Sequence, residues 1–470
     1  VQRSPNGYPF VHWFCASISV LLVCCAADSA APAGIDADAQ TREIAGSVGV
    51  ASDADVVVDV RTDTTSAGDI QSCAALPVKQ SCLKLPTAGA LSGQTSNAPI
   101  AIANAAGCGV AFAATLSDGT ANRGVLGTVS AKGSVASVVL SAPPGNGGVV
   151  VHGLAAGSAG QLAVCGVIVG KPHDPLAPTL WKIKSLSGTQ RRVTLPTKNK
   201  EKTFCESLVF LGANRTAMLM ETHTGAAENL ATLVQERFRQ TLLLQDAAGK
   251  VTSSEHIGQF GMHHGTVGAN AAGDVIAAGI QLWAGDNWKG GSLTSRLFVK
   301  EGNGPIQVVN IGGSEKFAVW SVDMPESGRI VAVGEVSTTK NSLGQQAAVR
   351  LIHRSVGGAY SASELVKLDG WLWSRQLPAR GQRWGTAVTV RVDYDANGKA
   401  LERSVSVWRL EADKKSFTKL IELPSSWSNQ LGAFVMSTKS SAAAFLPPSA
   451  ESCPQGRISL GSVNGGIWKF

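Results

Sequence analysis

The sequence predicts an all-β chain, a single β-propeller of seven or eight blades with about 54 residues per repeat. Three observations lead there. The composition favours strands and turns, a short apolar strand recurs at nearly even spacing, and each unit closes on a similar second pattern.

Composition comes first. Of 470 residues, 44% are hydrophobic and only 16% charged, and 52 are glycine. Such a chain has ample material for a core and punctuates it with turns. Only a few stretches, such as Ala226 to Gln240, have the pattern of an amphipathic helix.

The recurring strand opens on glycine or a turn residue. It reads Gly273-Asp-Val-Ile-Ala-Ala-Gly279, Gly328-Arg-Ile-Val-Ala-Val-Gly334 and Gly160-Gln-Leu-Ala-Val-Cys-Gly166. Looser copies begin near Asp53, Gly107, Asn214, Arg383 and Leu431, so successive starts lie 54, 53, 54, 59, 55, 55 and 48 residues apart. The units close on Leu83 to Pro86, Val139 to Pro143, Val193 to Pro196, Val308 to Ile311, Leu365 to Leu368 and Leu420 to Pro424. Further strands, such as Arg296 to Val299 and Ala347 to Ile352, lie between opening and closing. The opening strands are continuously apolar rather than alternating, which is what a sheet covered on both faces requires. Three or four short strands per unit match one propeller blade. A β-solenoid is the rival architecture, but its coils are usually shorter and it carries polar caps.

The segments around Gly273 and Gly328 resemble the repeats of bacterial exported propellers of the delta-60 type, in which a Gly-x-Ile-Val-x-x-Gly strand recurs. The resemblance implies a fold and no particular activity.

The amino terminus predicts export. Arg3 precedes an apolar run from Val11 to Ala27, followed by small residues to Ala31, the pattern of a signal peptide over residues 1–30. An Ala/Pro-rich linker at 31–43 and the propeller over 44–470 complete the expected organisation. The expected location is secreted or periplasmic. Cys24 and Cys25 raise a lipid anchor as the one route to a membrane. Six of the nine cysteines follow the signal, namely Cys73, Cys82, Cys108, Cys165, Cys205 and Cys453. Six allow about 15 pairings; a disulfide between Cys73 and Cys82 is expected from their short separation in an oxidising compartment.

The net charge of +7 comes from scattered basic residues, with small clusters at Arg191-Arg192, Lys198 to Lys202 and Lys414-Lys415. No dense basic stripe with interleaved aromatics exists, so a nucleic-acid partner is not expected. Phosphate loops, Gly-x-Ser-x-Gly and His-Glu-x-x-His are lacking. Carboxylates are sparse for a glycosidase pair, and no cofactor is expected.

Counting back eight or nine residues from each strand opening reaches the end of the preceding strand. His152, Glu206, His264 and Trp320 fall there in four successive units, and Trp373 is the nearest equivalent in a fifth. Repeat symmetry would bring these five to one level at the mouth of the channel. Imidazole, carboxylate and indole together suit a recognition site. The bland alternative is that each side chain serves its own strand.

Two other patterns resolve to ordinary structure. His263-His264 points to opposite faces of a strand and so is a poor metal pair; no metal site is expected. Asp393-x-Asp395-x-Asn397-Gly398 copies half a calcium loop, but Ser404 stands where the closing Glu belongs. Asn-Gly between two apolar strands is a hairpin turn. Asn214-Arg-Thr216 forms a sequon and is expected to carry no glycan.

The expected function is non-catalytic binding of a carbohydrate, a peptide or another envelope protein. The alternative is a secreted hydrolase or lyase acting on an extracellular polymer, which a close carboxylate pair in the pocket would favour.

Overall fold

In the computed structural model the described residues run from Ser81 to Asn464; residues 1–80 and 465–470, with many of the loops between strands, lie outside them. The chain forms strands throughout, and among the described residues there is no helix. In chain order these are β1 (Ser81–Lys84), β2 (Gln94–Thr95), β3 (Ile100–Ala103), β4 (Gly109–Ser117), β5 (Asn122–Ser130) and β6 (Val135–Val139). Then come β7 (Gly148–Ala156), β8 (Leu162–Val169), β9 (Ala177–Ile183), β10 (Gln190–Thr194), β11 (Lys202–Leu211), β12 (Arg215–His223), β13 (Phe238–Gln245) and β14 (Val251–Gln259). The next eight are β15 (Gly261–Ala269), β16 (Val275–Ala284), β17 (Ser292–Glu301), β18 (Ile306–Asn310), β19 (Phe317–Glu326), β20 (Arg329–Val336), β21 (Gln346–Arg354) and β22 (Tyr360–Lys367). The last are β23 (Trp371–Leu372), β24 (Thr386–Tyr394), β25 (Ala400–Leu410), β26 (Phe417–Leu423), β27 (Ala433–Thr438), β28 (Ser441–Leu446) and β29 (Arg457–Asn464).

Four consecutive strands make one antiparallel meander: β11 to β14, β15 to β18, β19 to β22 and β23 to β26 each form a separate four-stranded sheet. The run β7 to β10 has the same order and is joined through β5 to the meander β3 to β6, while β2 pairs the same strand β4 that β3 does. First strands pack against first strands, β7 on β11, β11 on β15 and β15 on β19. This serial packing of meanders by their first strands is the arrangement of a β-propeller.

The recurring apolar strand of the sequence is the second strand of each sheet. Its starts, from Gly109 in β4 to Ser441 in β28, are 53 to 60 residues apart. Continuous burial explains its composition: in β8 seven of eight residues are buried, and in β20 again seven of eight. Both faces are covered by neighbouring sheets, so alternation is lost. The predicted closing segments are the fourth strands β10, β18, β22 and β26.

Two expectations are corrected. The segment after Leu431 is not a second strand; β27 is a first strand, and β28 is the true equivalent. The error arose because a short run of Ala, Val and Met has the same composition in either position. The helical pattern does not extend to Gln240, because Phe238–Gln245 is strand β13; the preceding residues lie outside the described ones. The pair Tyr394↔Ala400 joins β24 and β25 antiparallel, as the hairpin reading of this segment requires. Asn214 is exposed in the turn between β11 and β12.

Leu83–Pro86 has an unexpected partner. β1 pairs antiparallel with β29, Leu83 opposite Ile458, and forms the fourth strand of the sheet β27-β28-β29. The earliest described strand thus completes the last sheet.

Between sheets, the core is built from small and branched side chains. One cluster gathers Val275, Leu297 and Val299 of one sheet with Phe317, Val319 and Ile330 of the next. Polar groups join the outer strands. The Tyr360 hydroxyl donates to Glu301 at 2.6 Å, Arg354 pairs with the same carboxylate at 2.7 Å, and Lys300 reaches Glu255 at 2.7 Å.

A disulfide links Cys165 of β8 to Cys205 of β11, with Cα atoms 5.9 Å apart. Both residues are fully buried. The bridge covalently joins two neighbouring sheets. Cys73, and the side chain of Cys82, lie outside the described residues.

Closing a 40-residue separation stabilises by about 4 kcal/mol in the chain-entropy account. Cys165→Ser with Cys205→Ser should therefore lower the unfolding free energy, read from denaturant titration, by that order, and peptide mapping of the parent without reduction should recover the two cysteines joined. Separate recovery of both as free thiols from exported protein would contradict the bridge.

Candidate functional site

Four first strands carry a β-bulge, and the four sequence-selected residues mark it. In β7 the register shifts between Val151 and Gly153, so His152 is the extra residue. In β11 it shifts between Cys205 and Ser207, around Glu206. In β19 it shifts between Val319 and Ser321, around Trp320. In β15 a wider irregularity between Gly261 and Gly265 contains His264. His152, Glu206 and Trp320 are equivalent by register, whereas His264 falls in an irregularity of different register; all four lie within their strands and not at strand ends. Trp373 lies outside the described residues, as does the side chain of His264.

A bulge is an extra residue that bends a strand and re-aims its side chain. It also frees a backbone N–H from the ladder, and a buried N–H needs a partner. The preceding sheet supplies it: Val151 N–H donates to Thr115 Oγ1 at 2.9 Å, and Val319 N–H to Ser295 Oγ at 2.8 Å. Gln281 Nε2 also donates to the Val319 carbonyl at 2.5 Å. Thr115, Ser295 and Gln281 are all buried.

The bulge also explains the closing glycine of two repeats. Gly166 pairs with Val151 and Gly334 with Val319, each opposite the residue before the bulge. A Cβ at Gly166 would stand 2.1 Å from the Val150 carbonyl oxygen, and one at Gly334 would stand 2.0 Å from that of Ala318. Gly279 lies opposite Thr266 instead, and its added Cβ would meet the Val322 and Thr266 side chains.

Each described bulge side chain has identifiable surroundings. The His152 ring stands edge-on to Phe204 of the next sheet, centroids 6.1 Å apart. Glu206 hydrogen-bonds Glu221 of β12, within reach of Gln240 and the Gly265 N–H. A Cβ at Gly265 would come within 2.6 Å of Glu206 Oε2, so glycine leaves room for this carboxyl. Gln240 Nε2 donates to Glu221 Oε2 at 2.8 Å. Trp320 donates from Nε1 to Glu335 Oε2 at 2.9 Å and packs against the cluster holding Val331, Val333 and Leu351. Trp320 is therefore partly a packing residue, and its replacement by Ala would cost stability as well as any recognition, contrary to a purely solvent-facing reading.

His152, Glu206 and Trp320 are each half-buried. The polar ends of the first two are sealed: His152 Nε2 and Glu206 Oε2 are buried without a hydrogen-bond partner, as is Gln240 Oε1. Burial holds the His152 imidazole down to about 4, opposed in part by the Glu221 carboxylate. Burial first, then the Glu221 charge and their mutual hydrogen bond, pushes the Glu206 carboxyl well above its usual range. Two carboxyls facing each other in a buried place disfavour joint ionisation, which is why Glu206 keeps its proton above the ordinary range.

The sequence reading missed Glu221, Gln240 and Glu335. A signal for two of them existed: Glu335 follows Trp320 by 15 residues, and Glu221 follows Glu206 by the same interval. That interval is set by the hairpin from a bulge to the facing position on the second strand. Among the described residues, no three His, Cys, Asp or Glu side chains are grouped to hold a metal ion.

No protein-family model matches the chain, and no curated protein matches it. Among solved structures, it is similar to the β-propeller domain of the Trilobed protease from Pyrococcus furiosus, with 11% identity, a TM-score of 0.42, and 78% of this chain and 98% of that one covered. It is also similar to the Kuenenia stuttgartiensis hydrazine synthase, with 10% identity, a TM-score of 0.43, and 82% and 98% covered. A third likeness is to the polysaccharide lyase Uly1, with 10% identity, a TM-score of 0.41, and 76% and 88% covered.

Two predictions follow from the bulges. Gly166→Ala and Gly334→Ala should each destabilise by about 1–3 kcal/mol through backbone overlap. Gly279→Ala should cost less, because its neighbours are side-chain atoms that can shift. Urea midpoints would rank them, and equal costs at all three would break the link between glycine and bulge.

The second concerns pH. Glu206 holds its proton in the folded state above the ordinary carboxyl value of 4.5. Its stabilisation is therefore complete below that pH and is lost as pH rises through the folded-state value. His152, depressed from 6.5 to about 4, acts oppositely, its stabilisation being present above 6.5 and lost as pH falls through 4. Glu206→Gln leaves the histidine in place and removes the carboxyl titration. Its stability should decline less than that of the parent between pH 5 and pH 9 (about that range). Parallel pH profiles for the two proteins would mean that no proton is held by the pair.

Proposed function

We propose that this chain is an exported seven-bladed propeller that binds a carbohydrate, without cleaving it, at the axial level marked by His152, Glu206, His264, Trp320 and Trp373. The observation that carries the reading is the register equivalence of the bulges at His152, Glu206 and Trp320, with a wider irregularity around His264 in the first strand between the last two. Equivalent bulges re-aim side chains to one level around an axis, and the chemistry there varies from blade to blade. A packing ring would be uniform and apolar. An indole face suits the C–H face of a sugar, and imidazole and carboxyl groups suit its hydroxyls. The seven blades are the six meanders opened by β3, β7, β11, β15, β19 and β23, with a seventh opened by β27 and completed by β1. The contact of β27 with β3 supports a closed ring, and a disulfide between sheets is compatible with export.

The polymer-cleaving alternative would draw support from the Glu206–Glu221 pair. Its geometry argues against glycoside hydrolysis, in which the two carboxyls stand about 5 Å or more apart with sugar or water between them. Here the two carboxyls face each other closely enough to raise the Glu206 carboxyl, an arrangement that favours holding a proton over flanking a sugar.

Calorimetric titration with cellohexaose, chitohexaose and hexagalacturonate tests the reading. At least one should bind, without shortening of the sugar on prolonged incubation. His152→Ala, Glu206→Gln and Trp320→Phe should each weaken it by about tenfold, the scale of 1.4 kcal/mol. A sugar bound equally well by all three variants would place the site elsewhere, and binding of none would sink the carbohydrate reading.

A further inference from the structure

Glu335 and Glu221 occupy one register position in two different sheets. Glu335 pairs with Ala318, two residues before the bulge at Trp320. Glu221 pairs with Phe204, two residues before the bulge at Glu206. Both glutamates are buried, 8% and 5% exposed. That is rare for a carboxylate unless partners hold it there. In each sheet the second-strand glutamate engages the bulge side chain of the first strand: Trp320 Nε1 donates to Glu335 at 2.9 Å, and Glu206 hydrogen-bonds Glu221. The recurrence two units apart, with different bulge residues, indicates a shared device.

We propose that Glu221 and Glu335 are positioning residues of the axial site, holding Glu206 and Trp320 in the orientation they present to a ligand. This rests on the carbohydrate-binding reading for its purpose, but not for its geometry. An indole on a bulge is free to rotate about two side-chain bonds. A buried acceptor on the facing strand selects one orientation before any ligand arrives, and such preorganisation reduces the cost of binding. At Glu206 the same device fixes the orientation of the carboxyl. Gln240 anchors Glu221 in turn through its 2.8 Å hydrogen bond.

The test uses the whole protein with 15N-labelled tryptophan, whose 11 indole N–H resonances are few enough to resolve, with Trp320 assigned by Trp320→Phe. Glu335→Ala should move the Trp320 indole resonance and speed its exchange with solvent. It should also weaken the bound oligosaccharide by about tenfold. Glu335→Gln, whose amide oxygen still accepts, should restore both. Independently, Glu221→Gln should bring the Glu206 carboxyl back toward its ordinary titration range, followed by carboxyl 13C shifts. An unmoved indole resonance in Glu335→Ala, a Gln variant no better than Ala, or an unchanged Glu206 titration would each overturn the proposal. Should Glu335→Ala fail to fold, the Glu335→Gln and Glu221→Gln arms still decide it. If no oligosaccharide binds the parent protein, the carbohydrate reading fails alone, and the resonances still report on positioning.

Discussion

One extra residue in the first strand of a sheet organises much of what surrounds it. A strand that joins a propeller core is covered on both sides, so its ladder has little room for error. Inserting a residue at 152, 206 or 320 breaks that ladder at a buried place. The consequences follow in order. A freed N–H at Val151 or Val319 must find a hydroxyl, and Thr115 and Ser295 provide one from the preceding sheet. The carbonyl two residues earlier presses on the facing strand, and glycine stands there in β8 and β20. In β12 the same register is held by Met220, and nothing in the structure explains the difference.

The bulges also couple neighbouring sheets. Each hydroxyl that satisfies a bulge comes from the sheet before it, and His152 turns its ring toward Phe204 of the sheet after it. The disulfide falls in the same zone: Cys165 lies opposite Gly153 just past one bulge, and Cys205 immediately precedes the next. Cross-linking at that depth constrains the relative slide of two sheets where side-chain direction matters most. At the outer strands the sheets are joined instead by longer polar side chains such as Arg354 and Tyr360 on Glu301. Covalent and backbone contacts serve the inner level, and ion pairs serve the rim, where water lowers their value.

A buried acid pair is costly unless a proton or partner relieves it. Glu206 is relieved by holding its proton above the ordinary range, and Glu221 by the hydrogen bond from Gln240. Natural cores seldom keep such an arrangement where an apolar pair would pack as well. The half-buried state of His152, Glu206 and Trp320 is consistent with side chains that serve both their own sheet and the surface beside it.

The second strands were legible in the residues themselves, because a run such as Ile330-Val331-Ala332-Val333 is continuously apolar only when both faces are covered. Their spacing revealed the repeat, and counting back from them found His152, Glu206 and Trp320, which lie in equivalent bulges, and His264, which lies in a wider irregularity. Counting could not distinguish a strand end from a bulge, since an inserted residue has no composition of its own. It also assigned the run from Leu431 to the wrong strand, because a short apolar run has the same composition in either position. The roles of Glu221, Gln240 and Glu335 and the pairing of Cys165 with Cys205 depend on neighbours far along the chain. So does the completion of the last sheet by Ser81–Lys84. Periodicity is a local property that burial writes into consecutive residues. Register, bulge direction and cross-sheet partners arise only when the sheets meet, and those the tertiary structure decided.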